Sequence, residues 1–171
     1  MRMNPQRGQP ASELIQKISI QALTALLTEN ADEPHARRVA PVLAGIHFKT
    51  TTALVKAVRN ALPRLAKEEQ ENSIRRVFQA LRIAVNDEFA ALDALLRALP
   101  GVLRAGGRAV IISFHSGEDR RVKKAFEAGL TKALYCDIAH EVVRPTAAER
   151  HANPRSAPAK LRWATRSKRD C

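Results

Sequence analysis

The stretch that most constrains the fold is Arg108–Phe114, RAVIISF. Ala109, Val110, Ile111 and Ile112 follow one another without a polar break. Gly106-Gly107 precedes them and Ser113-Phe114-His115-Ser116 follows. A short, continuous apolar run reads as a strand covered on both faces, since a half-exposed strand alternates apolar with polar residues. Such a strand, ending in a small polar knot, places that knot beyond its carboxyl end, where open α/β sheets hold ligands.

The rest of the second half agrees with an α/β class. Asp119 to Glu127 has helical spacing, with Val122 and Phe126 on one side and Gly129 after it. Residues 134–143 and 160–165 read as two further strands. The longest periodic segment is Ser73 to Leu99, where Ile74, Val77, Phe78, Leu81, Val85, Leu92 and Leu96 form one apolar stripe. Ahead of it, Lys67 to Asn72 reads as a charged linker. Residues 11–62 read as four short helices, with Ser12, Ser19 and Thr51 or Thr52 as caps and Pro34 in the first turn of the third. Residues 1–10, with two prolines and a glycine, read as a loop.

Charge narrows the range of partners. Lys and Arg number 29 against 17 Asp and Glu, a net charge of +12. Half of that excess lies between Arg144 and Cys171, which also carry Leu161 and Trp163. A chain this basic favours a polyanionic partner, because neutralised phosphates release counterions. With aromatic residues at only 4%, a stacking platform for single strands is poorly supported. Cys136 and Cys171 lack CxxC spacing, so neither zinc nor a disulfide framework is expected. No run approaches the ~20 apolar residues of a membrane span, and no signal peptide opens the chain, so the expected location is the cytoplasm, with no membrane partner.

Several chemistries compete for Ser113, His115 and Ser116. A serine hydrolase needs a base-held nucleophile, and no G-x-S-x-G elbow surrounds either serine. A metal site needs more ligands than one His with Glu118 and Asp119 nearby. A structural role is simpler, with Ser116 capping the next helix and Asp119 in its first turn.

Three ordered motifs then carry a resemblance. Arg76 to Glu88, RVFQALRIAVNDE, is similar to the RVFQALRIAVN(D/E)E signature of the RsmH (MraW) family. SFHSGEDRRVKKAF, from Ser113, resembles its SFHSLEDRxVKxxF motif, with Gly117 in place of Leu. NPRSAPAKLR, from Asn153, resembles its NPRSRSAKLR motif, with Ala157 in place of Arg. Met1-Arg2-Met3-Asn4 resembles its DMRMD segment, with Asn4 in place of Asp.

That family methylates the exocyclic amine of a cytosine in small-subunit ribosomal RNA, using S-adenosylmethionine. The resemblance implies the carboxy-terminal part of a Rossmann-like class I methyltransferase sheet, preceded by an all-helical inserted domain. Residues 11–66 would be the inserted, RNA-substrate domain and 73–171 the carboxy-terminal part of the catalytic fold. Ser113, His115 and Ser116 become candidates to line a target-base pocket. Asn153, Arg155, Ser156, Lys160, Arg162, Arg76 and Arg82 become candidate RNA contacts. For Arg76, Gln79, Arg82 and Asn86, packing of a helix face is the competing role.

The family's glycine-rich S-adenosylmethionine turn and ribose-holding acid precede the segment resembled here. Gly106-Gly107, the only glycine pair, comes before a strand instead of after one. The expectation is a chain without cofactor-binding residues, inactive alone. It would associate with its own copies or with an amino-terminal half. The alternative is a non-catalytic basic fragment that binds rRNA, or a degenerate copy. Loss of the Leu side chain at Gly117 is expected to cost apolar packing of about 1–3 kcal/mol.

Overall fold

The computed structural model describes residues 1–168 except Pro5 and Arg7. The chain divides into two compact units, the first ending at Glu88 and the second beginning at Phe89.

The first unit is helical: α1 Ala11–Lys17, α2 Ile20–Ala31, α3 Ala36–Leu43, α4 Thr51–Ala61 and α5 Lys67–Asn86. Ser19 caps α2 as its sequence predicts, its hydroxyl accepting from the Ala22 N–H at 3.2 Å. Thr50, one residue earlier than expected, does the same for α4 through Ala53, at 3.1 Å. The first helix starts behind Pro10, without a side-chain cap from Ser12. Leu23 and Leu27 of α2, Val39 and Leu43 of α3, and Val77 and Leu81 of α5 meet in one core. Beneath it Glu33 is buried, its carboxylate accepting from the Ser73 hydroxyl and the His35 N–H, each at 2.9 Å.

Two boundaries depart from the sequence reading. The expected linker 67–72 is the first turn and a half of α5. The Glu69 carboxylate accepts from the Ala66 N–H at 3.3 Å, and Glu68 and Glu69 suit the positive end of a helix. The expected single helix 73–99 is two, because Asp87 adopts a left-handed conformation, φ 52°, and closes α5. Asp is one of the few non-glycine residues that tolerate this region. Helix α6 then runs Glu88–Val102.

The second unit adds β1 Arg108–Ser113, α7 Ser116–Thr131, β2 Tyr135–Ile138, α8 Ala147–Ala152, a short 3-10 turn Pro154–Ser156, and β3 Lys160–Arg166. The class is α/β, as expected, with a small antiparallel sheet in the order β1-β3-β2. Val110 lies opposite Trp163 and Ile112 opposite Leu161. The expected strand 134–143 is shorter. It stops at Ile138, and Val143 returns only as an isolated bridge to Leu161.

Cover of β1 on both faces is not what the structure shows. Ala109 packs in a core with Leu96 of α6, Val122 and Phe126 of α7 and Ala164, and Ser113 is also buried, while Val110 and Ile112 are 56% and 55% exposed. Arg108 shares their face, its guanidinium 5.3 Å from the Trp163 ring. The continuous apolar run thus meets cover on one side only, and β1 is an edge strand among the described residues.

An open edge beside exposed apolar side chains is a template for strand pairing. The chain is expected to self-associate in sedimentation velocity at micromolar concentration. Ile112→Lys, placing a charge on the exposed row, should shift it towards monomer. A wild-type chain that stays monomeric through a cooperative thermal transition would show this edge to be protected.

Candidate functional site

The polar knot after β1 folds as a helix start. His115 is the cap residue of α7, not Ser116, because His115 takes the extended conformation and its Nδ1 accepts from the Glu118 N–H at 3.4 Å. Ser116 is the first helical residue, and its surface is exposed. Glu118 turns back to the strand end, where its carboxylate accepts from the Phe114 N–H at 3.1 Å. His115 Nε2 lies 3.3 Å from the same carboxylate, off the hydrogen-bond line. These contacts, that with His115 foremost, hold the Glu118 carboxyl below its usual range against the opposing effect of burial. Ser113 is buried, and its hydroxyl donates to the Lys160 carbonyl at 3.4 Å.

Phe89 closes one side of this cluster. Its ring centroid is 5.9 Å from that of His115. The Arg121 guanidinium lies over the Phe89 ring, 4.1 Å from its centroid, and reaches the Asp93 carboxylate at 3.0 Å. A side chain at Gly117 would meet Phe89 Cζ at 2.7 Å. The expected loss of packing at Gly117 is therefore not a void, because an aromatic ring occupies the space.

The third motif arrives beside the second through β3. Asp119, in the first turn of α7, accepts from Arg162 Nε at 2.6 Å and from its Nη2 at 3.3 Å. The two side chains are 15% and 8% exposed. Arg162 is thus held within the fold, and its guanidinium is engaged by a carboxylate. Ser156 is also buried, its hydroxyl without a hydrogen-bond partner among the described residues. Asn153 caps the 3-10 turn, accepting from the Arg155 N–H at 3.2 Å. Asn153 and Arg155 are exposed and Lys160 is half-buried, so these three present polar groups to solvent near the start of β3. The basic tail extends to Cys171, whose last three residues lie outside the described residues.

The first motif is placed in the helical unit. Gln79 donates to the Asn30 carbonyl at 3.4 Å and so ties α5 to α2. Arg76 is half-buried, and Arg82 makes a two-pronged contact with Glu88, both distances 2.9 Å. Asn86 reaches the start of the chain: its oxygen accepts from the Met3 N–H at 2.8 Å and its amide donates to the Met1 carbonyl at 3.0 Å. Periodicity alone missed this clamp, since its partners lie 85 and 83 residues away.

Neither a metal cluster nor a membrane-length apolar helix occurs among the described residues. The glycine pair does not fit a cofactor cradle. Gly106 N–H donates to the Arg166 carbonyl, Arg166 N–H donates to Gly107, and a Cβ at Gly107 would lie 2.8 Å from the Arg104 carbonyl oxygen. These glycines shape the turn into β1.

Comparison with known proteins places the arrangement. Residues 1–167 match the MraW methylase family. The chain is 42% identical over 176 residues to ribosomal RNA small subunit methyltransferase H 2 of Alkaliphilus metalliredigens, covering 98% of this chain and 50% of that protein. It is 40% identical to ribosomal RNA small subunit methyltransferase H 1 of Agathobacter rectalis, with the same two coverages of 98% and 50%. With ribosomal RNA small subunit methyltransferase H of Myxococcus xanthus the identity is 41%, over 95% of this chain and 58% of that protein. The chain spans about half the length of the curated relatives it matches.

Breaking a buried ion pair from one side leaves an uncompensated charge, at a cost of about 3–5 kcal/mol. Arg162→Ala and Asp119→Ala should each lower urea-unfolding stability by that order. The paired change Arg162→Met with Asp119→Leu should cost less than either single change. Strictly additive losses would show that the two side chains do not act as a pair.

Proposed function

The chain belongs to the MraW methylase family, and on that premise we propose that it is the carboxy-terminal portion of an rRNA methyltransferase. The whole enzyme would move a methyl group from S-adenosylmethionine to the exocyclic amine of a cytosine in small-subunit rRNA. The observation that carries this reading is the meeting of two family-like motifs at one end of the sheet, through Asp119 and Arg162. On this reading residues 11–66 form the inserted domain that handles RNA, and residues 73–171 complete the catalytic fold.

An enzyme that acts on a base must take it out of its stack and read its edge in a pocket. His115, positioned by Glu118 and Phe89, and the neighbouring Ser113 and Ser116 are our candidates to border that pocket. Ser113 would contribute through the backbone it holds, since its hydroxyl is buried against Lys160. Asn153, Arg155 and Lys160 are the favoured RNA contacts of the third motif because they reach solvent. Arg162 and Ser156 would act by supporting them from within. Arg76 and Arg82 remain candidates on α5, the latter with its charge partly met by Glu88.

S-adenosylmethionine would be held by residues other than the described ones, since the glycine pair is spent on the turn into β1. The reading therefore assigns no chemical step to this chain alone. Isothermal titration of the isolated chain with S-adenosylmethionine should give no measurable heat of binding. A micromolar dissociation constant would place a cofactor site within these residues.

A non-catalytic rRNA-binding role is favoured by one observation of its own, the net charge of +12. It shares the RNA contact and dispenses with the cofactor. For a small-subunit rRNA fragment, contact with six to eight phosphates should weaken binding on the order of a thousandfold between low and physiological salt. Arg155→Ala with Lys160→Ala should flatten that dependence. A flat response in the wild-type chain would remove RNA binding from both readings.

A further inference from the structure

We propose that the cleft between α6 and α7 is a second RNA contact, taking one unstacked base on its apolar floor and the adjoining phosphates on its basic rim. The proposal rests on the reading that this chain handles RNA, and it concerns residues that none of the three family-like motifs placed at an interface.

The cleft has a volume of about 410 Å³, within the range of sites for small organic groups. Its floor comes from Leu96 of α6 and from Ala125, Ala128 and Gly129 of α7. Gly129 sits directly on the Tyr135 ring, where an added Cβ would lie 2.4 Å from a ring carbon. That ring is in turn fixed edge-on against Phe126, centroids 5.5 Å apart. The floor is thus closely packed and preformed, which lowers the ordering cost of binding. The small side chains of Ala125 and Ala128 leave room above this floor for a flat ring.

The rim supplies the opposite chemistry. Arg97, Lys124 and Lys132 border the cleft, and none of them pairs with a carboxylate among the described residues. Neighbouring cations behave differently. Lys123 approaches Glu127 at 3.7 Å, and Arg121, itself on the lining, reaches Asp93, the one carboxylate among the described lining residues, at 3.0 Å. Three unmatched cations around one apolar cleft repel one another, and an anion set between them relieves that repulsion. An anion joined to a flat apolar ring is the chemistry of a nucleotide.

The place of the cleft gives it a use. Its Arg121 end abuts Phe89, which also packs on His115. Lys132 follows the last turn of α7, a helix of 16 residues, roughly 24 Å from its first residue. A single strand of RNA lying along α7 would therefore connect the β1 tip with the cleft. Phosphates on the rim would supply affinity, and the inserted base would fix the position of the strand.

The test uses the full chain, fluorescence anisotropy and two probes: a short single-stranded RNA oligonucleotide and the same backbone with abasic positions. The wild-type chain should bind the base-bearing probe about fivefold or more tightly. Ala128→Glu, an exposed helix position on the floor, should bring the two affinities together. Arg97→Gln, Lys124→Gln and Lys132→Gln combined should lower the slope of log affinity against log salt by roughly two units. Thermal melts check that these surface variants keep the fold, and Lys132→Gln alone, with a proportionally smaller change of slope, serves if the triple variant does not. Equal affinity for both probes in the wild-type chain overturns the inserted base, and an unchanged slope overturns the rim. Competition by a polyglutamate peptide as effective as RNA also overturns the nucleotide assignment. If Arg155→Ala with Lys160→Ala abolishes binding while the cleft variants leave it intact, the cleft falls and the RNA reading stands. If the wild-type chain binds neither probe, both fall together.

Discussion

A buried guanidinium organises the second unit. Arg162 sits in the central strand of the sheet, and its charge has one carboxylate to meet, that of Asp119. Because both groups are nearly closed to water, the contact tolerates little displacement: a shift of β3 by one residue would carry Arg162 to the opposite face of the sheet. Such pairs often add little net stability over an apolar pair of similar volume. What this one contributes is geometry, since it joins the strand start to the first turn of α7. That same turn carries His115 and Glu118 at the tip of β1.

A different bonding logic holds the helical unit. There the amide of Asn86 grips a backbone segment, accepting from one peptide group and donating to another. It also donates to the Arg82 carbonyl at 2.9 Å, so the end of α5 and the start of the chain share one anchor. Arg82 and Glu88 close around this anchor from the solvent side. An ionised carboxylate in place of the amide would keep the acceptor and lose both donors.

Much of the architecture was legible because it is local. The Ser19 cap, the stripe through Ile74, Val77 and Leu81, and the strand at 108–113 all follow from residues within a few positions of one another. What escaped depends on partners far along the chain or on small differences in backbone energy. The break at Asp87 is hidden by apolar spacing that continues through Leu92 and Leu96. Only a left-handed residue, stabilised by its surroundings, reveals it. The one-sided exposure of β1 was hidden for a related reason, since Val110 and Ile112 are as apolar as their buried neighbours. At the site, the local contact of His115 with Glu118 lay within reach of sequence reasoning. The burial of Arg162 did not, because a basic residue in a basic tail reads as surface until its acid is found 43 positions earlier.

Gly117 and Phe89 illustrate how one position constrains what another can hold. The motif it resembles carries a leucine where this chain has glycine, and the Phe89 ring now fills the place such a side chain would need. The order of change at the two positions therefore matters. Leucine first would collide with the ring, and a smaller residue at 89 first would open a hole beside His115. A change at either position alone therefore costs packing at the other. The same ring serves as a packing surface for Arg121, and a step that frees Gly117 would loosen that arginine as well. Two positions 28 apart in sequence thus share one volume, and a substitution judged at one of them is misjudged unless the other is considered with it.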